Sequence, residues 1–139
     1  MLIDPENESA VRVDARLRND LVAWLITVAP DGTPMPTPVW FWWDGATMLV
    51  YSQPGKPKLR NIATSARVAV ALRTDPIASE LAVITGDAAV DASAPKADDH
   101  AEYLSKYRSE IARLGSNPAE FAEGYSVPIR ITPTRLRAE

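Results

Sequence analysis

A mainly β domain, a small antiparallel barrel carrying a few short helices, is the fold that these 139 residues predict. Three observations carry the prediction. Short apolar or alternating runs recur along the chain, Pro, Gly and Asp turn signals separate them, and helical spacing is limited to brief stretches. The hydrophobic fraction of 46% suffices for one real core in a chain of this length.

In chain order, residues 9–19, SAVRVDARLRN, read as a short helix with Val11, Ala15 and Arg18 on one side, within an N-terminal helical segment 1–20. LVAWLITVA, 21–29, is an apolar strand ended by Pro30-Asp31-Gly32. TPMPTPVWFWW, 33–43, is a second strand ended by Asp44-Gly45, and TMLVYS a third, so the first three should form an antiparallel meander. Pro34, Pro36 and Pro38 cannot donate ladder bonds, which puts that half-strand at an edge.

Leu59–Ser65 reads as a helix, RVAVALRT, 67–74, as a fourth strand, and LAVITGDAAVDA, 81–92, as a fifth with Gly86 at a bend or bulge. Residues 95–114 form the clearest helix, stopped by Gly115, with Leu104, Tyr107, Ile111 and Leu114 as its buried stripe. NPAEFAEG adds a second short one, so 95–123 is a helical insertion before the last strand, 125–137, where Pro128 and Pro133 again imply edges. A single domain, 1–139, follows.

Composition narrows the chemistry. There is no cysteine, and His100 alone cannot make a structural zinc site, so thiolate and metal chemistry are not expected. His100, one turn before Leu104, reads as a packing histidine. MLIDPENESA has neither the basic start nor the apolar run of a secretory signal, and no stretch is apolar enough to span a membrane, so a soluble cytoplasmic protein is expected. No nucleophile-elbow, zinc-protease, P-loop or dinucleotide fingerprint is present.

Charge is uneven along the chain. From Gly45 to Thr74 there is no Asp or Glu, while Lys56, Lys58, Arg60, Arg67 and Arg73 make that segment basic within a protein of net charge −3. Such a field focuses a small anion, whereas the acidic total argues against a nucleic-acid partner. In SQPGKPKLRNIA, Pro54 and Pro57 restrict the backbone, and Lys56, Lys58, Arg60 and Asn61 sit at a helix start whose amides are free, as a phosphate clamp requires. VWFWW is apolar on both strand faces, which calls for core on one side and a dimer interface on the other.

In this order, PVWFWWDG, TMLVYSQP, GKPKLRNI, RVAVAL, ITGDAAV and VPIRITPTRLR resemble the pyridoxamine 5′-phosphate oxidase-like split β-barrel family, in particular its deazaflavin-dependent reductase branch. The resemblance covers about Leu21 to Arg137. It implies a six-stranded antiparallel split β-barrel of the FMN-binding type and a homodimer with cofactor sites between subunits. It also implies that Lys56, Lys58, Arg60 and Asn61 grip the cofactor phosphate, that Tyr51, Ser52 and Gln53 lie beside the ring system, and that Thr37, Pro38 and Val39 face the ring.

The departures choose the cofactor. The oxidases carry an arginine and a lysine for the flavin mononucleotide phosphate where this chain has PTPVWFWW, and their substrate-binding C-terminus is replaced by ITPTRLRAE. The expectation is therefore F420, with FMN as the alternative, and hydride transfer to an unsaturated small organic substrate. A non-enzymatic cofactor or ligand binder is the other reading. No side chain is singled out as catalytic, and Tyr51, Tyr125 or water would supply the proton.

Overall fold

The computed structural model describes residues 2–139. Strands β1 (Ala23–Val28), β2 (Pro34–Val39), β3 (Trp42–Trp43), β4 (Met48–Ser52), β5 (Arg67–Ala71), β6 (Ala82–Val90) and β7 (Val127–Ala138) form one sheet in the order β2-β1-β5-β6-β7-β4-β3, every pair antiparallel. Helices α1 (Glu8–Asn19), α2 (Pro57–Thr64), α3 (Ala101–Arg113) and α4 (Pro118–Gly124) pack around it.

Strand order forces curvature. The two outermost strands, β2 and β3, are joined by Trp40 and Phe41 alone. Laid flat, seven strands at about 4.8 Å spacing would put those edges about 29 Å apart. Three Cα steps of about 3.8 Å span only about 11 Å. The sheet must therefore roll up until its edges meet, and the result is the predicted split barrel with seven strands instead of six, because the proline-rich strand breaks in two. The expected meander holds for β1-β2 and β3-β4 only; the break at Trp40 sends the chain from one edge of the sheet to the other.

Inside the roll lies one core that includes Leu25, Val39, Phe41, Trp43, Met48, Val50, Val70, Ile84, Ile129 and Ile131. Helix α1 closes it, burying Ala10, Val13 and Leu17, whereas Val11 of the expected face is 45% exposed. Outside β4 a second cluster joins Leu49 and Tyr51 to Tyr103, Leu104, Tyr107 and Ile111 of α3 and Phe121 of α4. β4 is thus buried on both faces.

That second cluster corrects the reading of VWFWW. Trp40 stacks on Tyr107 at 4.7 Å and Trp42 meets the His100 ring edge-on at 4.4 Å, so the chain's own helices cover the outer face that was assigned to a dimer partner. His100 caps α3 through Nδ1, which accepts from the Tyr103 N–H at 3.1 Å, and burial lowers its pKa. A nitrogen that accepts a hydrogen bond carries no proton, so its contact with Glu102 is not an ion pair. The helix stops at Arg113, and Leu114, expected in the stripe, is 66% exposed as the C-cap.

The prolines behave as chemistry dictates, with one correction. β2 is an edge strand, and its register leaves Met35, Thr37 and Val39 to bond β1 while the free edge shows only carbonyls. β7, by contrast, is central, between β6 and β4. Its prolines lie where one neighbour has run out: Pro133 beyond the last β4 partner, Ile131, and Pro128 beyond the last β6 pair, Val90 with Ile129. At the expected bulge the β6 register shifts between Thr85 and Gly86, and a Cβ on Gly86 would meet the Pro133 Cα at 2.9 Å.

Candidate functional site

The loop after β4 leads directly into α2, whose N-cap is Lys56 and whose first residue is Pro57. No side chain caps this end and no acidic residue sits in its first turn, so the amide dipoles there are not neutralised. Among the described residues, Lys56, Lys58 and Arg60 make no ion pair and no side-chain hydrogen bond. Lys58 is half-buried, and burial together with neighbouring Lys56 lowers its pKa. Arg67, in contrast, faces Asp87 at 3.4 Å.

Beside this cationic end lies a cavity of about 160 Å³ lined by Pro38, Val39, Trp40, Tyr51, Lys58, Tyr103, Leu114, Phe121 and Tyr125. Four residues expected at a site meet on its wall: Pro38 and Val39 from the end of β2, Tyr51 from β4, and Lys58 from α2. A larger cavity of about 690 Å³ lies across Tyr51 and Tyr125, which border both, and carries Lys96, Asp98 and Glu123.

The other expected residues fall elsewhere. Thr37 is half-buried opposite Leu25, and Ser52 is buried with its hydroxyl donating to the Gln53 carbonyl at 2.8 Å. Lys56 and Arg60 are exposed. Asn61 is fully buried under the sheet, its amide donating to Thr27 Oγ1 at 2.9 Å and to Met35 Sδ at 3.4 Å, while its Oδ1 has no partner. It supports α2 from below and does not join the cations on its outer side.

Tyr51 and Tyr125 differ as proton sources. The Tyr51 hydroxyl donates to the Pro95 carbonyl at 2.6 Å, and burial pushes its pKa up to about 12. Tyr125 stacks on Phe121 at 4.5 Å with its hydroxyl unbonded among the described residues. Sequence reasoning missed Trp40, Tyr103 and Phe121 as wall residues. Their aromatic character was visible, but what brings them together is α3 and α4 folding back across β4, which no local pattern encodes.

Where the barrel edges join, α3 holds the backbone. Tyr107 Oη accepts from the Phe41 N–H at 2.8 Å and donates to the Leu21 carbonyl at 2.7 Å, while Lys106 Nζ donates to the Phe41 carbonyl at 2.9 Å. Burial brings the Lys106 pKa down to about 8. Val39 and Trp40, two walls of the smaller cavity, therefore stand next to a backbone corner whose polar groups are paired by a helix.

The outer face of β1 and β2 is apolar. Trp24 is 46% exposed and lies opposite Pro38 and Ala71, and half-buried Ile26 lies opposite Pro36 and Ala69 on the same face. No helix of the described residues is long and apolar enough to cross a membrane.

The sequence matches the family model described as pyridoxamine 5′-phosphate oxidase over residues 11–138. No curated protein matches it. Among solved structures, it is similar to an F420 reductase, with 27% identity over 89% of this chain and 94% of that one and a TM-score of 0.66. A FAD-binding protein from Mesorhizobium loti (19% identity, 92% and 90% covered, TM-score 0.64) and the heme storage protein HutZ from Vibrio cholerae (17%, 99% and 95%, 0.60) share the fold.

Proposed function

Because the chain belongs to the pyridoxamine 5′-phosphate oxidase family, we propose that it is an F420-dependent oxidoreductase passing a hydride between the deazaflavin and an unsaturated small organic molecule. One observation carries the reading: three unpaired cations, Lys56, Lys58 and Arg60, surround an uncapped and acid-free helix start beside an aromatic cavity. This donor set suits a phosphate, since ammonium, guanidinium and free amides all point to an anion. The similarity to an F420 reductase supports the deazaflavin, and the absence of a cation in β2 weighs against flavin mononucleotide.

When bound, the deazaflavin supplies the hydride chemistry. The protein's part is placement. Lys56 and Lys58 would hold the phosphate, and Arg60 would offer a contact for further negative charge. The Pro38 carbonyl at the end of β2 would accept from a ring N–H, and Trp40, Phe121 and Tyr125 would keep water from the reacting face. Tyr125 or a water would supply the proton that accompanies the hydride, since the Tyr51 hydroxyl is engaged by Pro95.

A second copy of the chain belongs to this reading. The cavity within one chain has room for about one six-membered ring, by comparison with the roughly 150 Å³ cavity that accommodates benzene. A tricyclic ring system needs a further wall, and the outer face of exposed Trp24, half-buried Ile26 and the β2 prolines offers apolar surface for one.

Titration with F420 and with FMN, followed by cofactor fluorescence, tests the proposal. Micromolar binding of F420 is expected, and binding of neither cofactor refutes it. Lys56→Ala and Lys58→Ala should each weaken F420 binding by about 1.5–3 kcal/mol per charge-assisted hydrogen bond lost, with an unchanged circular dichroism spectrum. Unaltered affinity would reduce the loop to a solvated turn.

A further inference from the structure

We infer that the 160 Å³ cavity is a subsite for a single planar six-membered ring bearing a hydrogen-bond-accepting oxygen, and that the Tyr103 hydroxyl binds that oxygen. The inference rests on the cavity and its wall and does not need the deazaflavin. Tyr103 is fully buried, yet its hydroxyl makes no hydrogen bond to any described residue. Its ring is pinned, edge-on to Tyr51 at 4.8 Å and close to Tyr107 at 4.8 Å, so the hydroxyl has little freedom to find a partner elsewhere.

The only enclosed side-chain polar atom without a partner among the described residues is Asn61 Oδ1. The Tyr103 oxygen is therefore not wholly sealed in protein, and Tyr103 is one of the residues that line this cavity. A desolvated hydroxyl with no acceptor is unfavourable, and an occupant that supplies one relieves the cost.

The wall also states what the occupant is. Trp40, Phe121 and Tyr125 offer flat apolar faces, and the volume is close to that of a cavity that holds benzene. Of the ionisable side chains on the lining, Lys58, Tyr103 and Tyr125 have a hydrogen to donate, Tyr51 gives its own to the Pro95 carbonyl, and no carboxylate is among them. With the Lys58 ammonium on the wall and no carboxylate to balance a second cation, the lining favours an occupant with an acceptor, a carbonyl or phenolate oxygen, over an ammonium group. A separate one-ring compound and the end ring of a tricyclic cofactor share this chemistry.

Acetophenone and cumene, alike in shape but only one with an acceptor, are the probes, titrated while the Trp40 indole N–H resonance is followed by NMR. Acetophenone should bind the wild type more tightly, and Tyr103→Phe should weaken it by about 3- to 10-fold with cumene unaffected. Tyr103→Phe should also unfold at the same or a higher temperature, because it deletes an unpartnered hydroxyl; a structural tyrosine would lose stability. Leu114→Trp, at an exposed lining position, should weaken both probes. Failure of acetophenone to bind at low millimolar concentration, or equal loss of both probes in Tyr103→Phe, overturns the inference. Displacement of acetophenone by saturating F420 assigns the subsite to the cofactor's end ring, and retention assigns it to a separate compound. If F420 itself does not bind, the function proposed above fails while the acetophenone titration still decides the subsite.

Discussion

Replacing Tyr107 by phenylalanine removes one oxygen atom from the corner where the chain leaves one sheet edge for the other. Tyr107 is fully buried, and its hydroxyl is the partner of the Phe41 N–H at 2.8 Å and of the Leu21 carbonyl at 2.7 Å. The Phe41 carbonyl keeps Lys106, but its N–H is left buried with no acceptor. An unsatisfied buried donor costs about 1–3 kcal/mol, and the lost hydrogen bond adds about 1 kcal/mol, so the loss should be about 2–4 kcal/mol. With an unfolding entropy of about 2.1 cal/mol/K per residue, a loss of about 3 kcal/mol in a chain of 139 residues lowers Tm by about 10 °C. The assay is urea unfolding by tryptophan fluorescence, expected to show a lower midpoint at unchanged slope. A loss below about 0.5 kcal/mol would mean that the corner is set by core packing and not by the α3 hydroxyl.

Lys106 predicts a pH dependence of stability. Its folded pKa, about 8, lies below the ordinary 10.5, so between these values the unfolded chain binds more protons and stability rises with pH. The burden of the buried charge is fully present below pH 8 and is relieved as pH approaches 10.5. Wild type minus Lys106→Met, measured by chemical denaturation at pH 7 and at pH 9.5, should therefore become more favourable at the higher pH, and a flat or falling difference would contradict the burial argument. The dimer surface has its own test. Trp24→Asp puts a charge at the centre of the exposed apolar face and should yield monomers by analytical ultracentrifugation with the fold preserved; a variant that sediments as the wild type does would exclude this face.

The candidate site was legible in part. Lys58, Pro38, Val39 and Tyr51 do meet around one cavity, because a proline-rich edge and a basic helix start announce themselves through local backbone chemistry. Asn61 was grouped with its cationic neighbours by adjacency, but each helical residue turns the side chain by about 100°, which carries Asn61 from the exposed side of Arg60 to the buried side above Thr27. Tyr103 was within reach: it precedes Tyr107 by four residues on the same helical face. The stripe read from the sequence runs on to Leu114, past the end of the helix at Arg113.

What the sequence determined by itself is local. Proline lacks an N–H, so β2 had to be an edge; Asp-Gly and Pro-Asp-Gly had to turn; an acid-free stretch had to be positive; and the alternation of VWFWW required cover on both faces. Each follows from a residue and its nearest neighbours. The tertiary structure decided who provides that cover, which two sheet edges meet at Trp40 and Phe41, and that Tyr103 lines a cavity. Those outcomes depend on contacts between segments about sixty residues apart, such as Phe41 with Tyr107, and apolar periodicity states that a face is buried without stating against what.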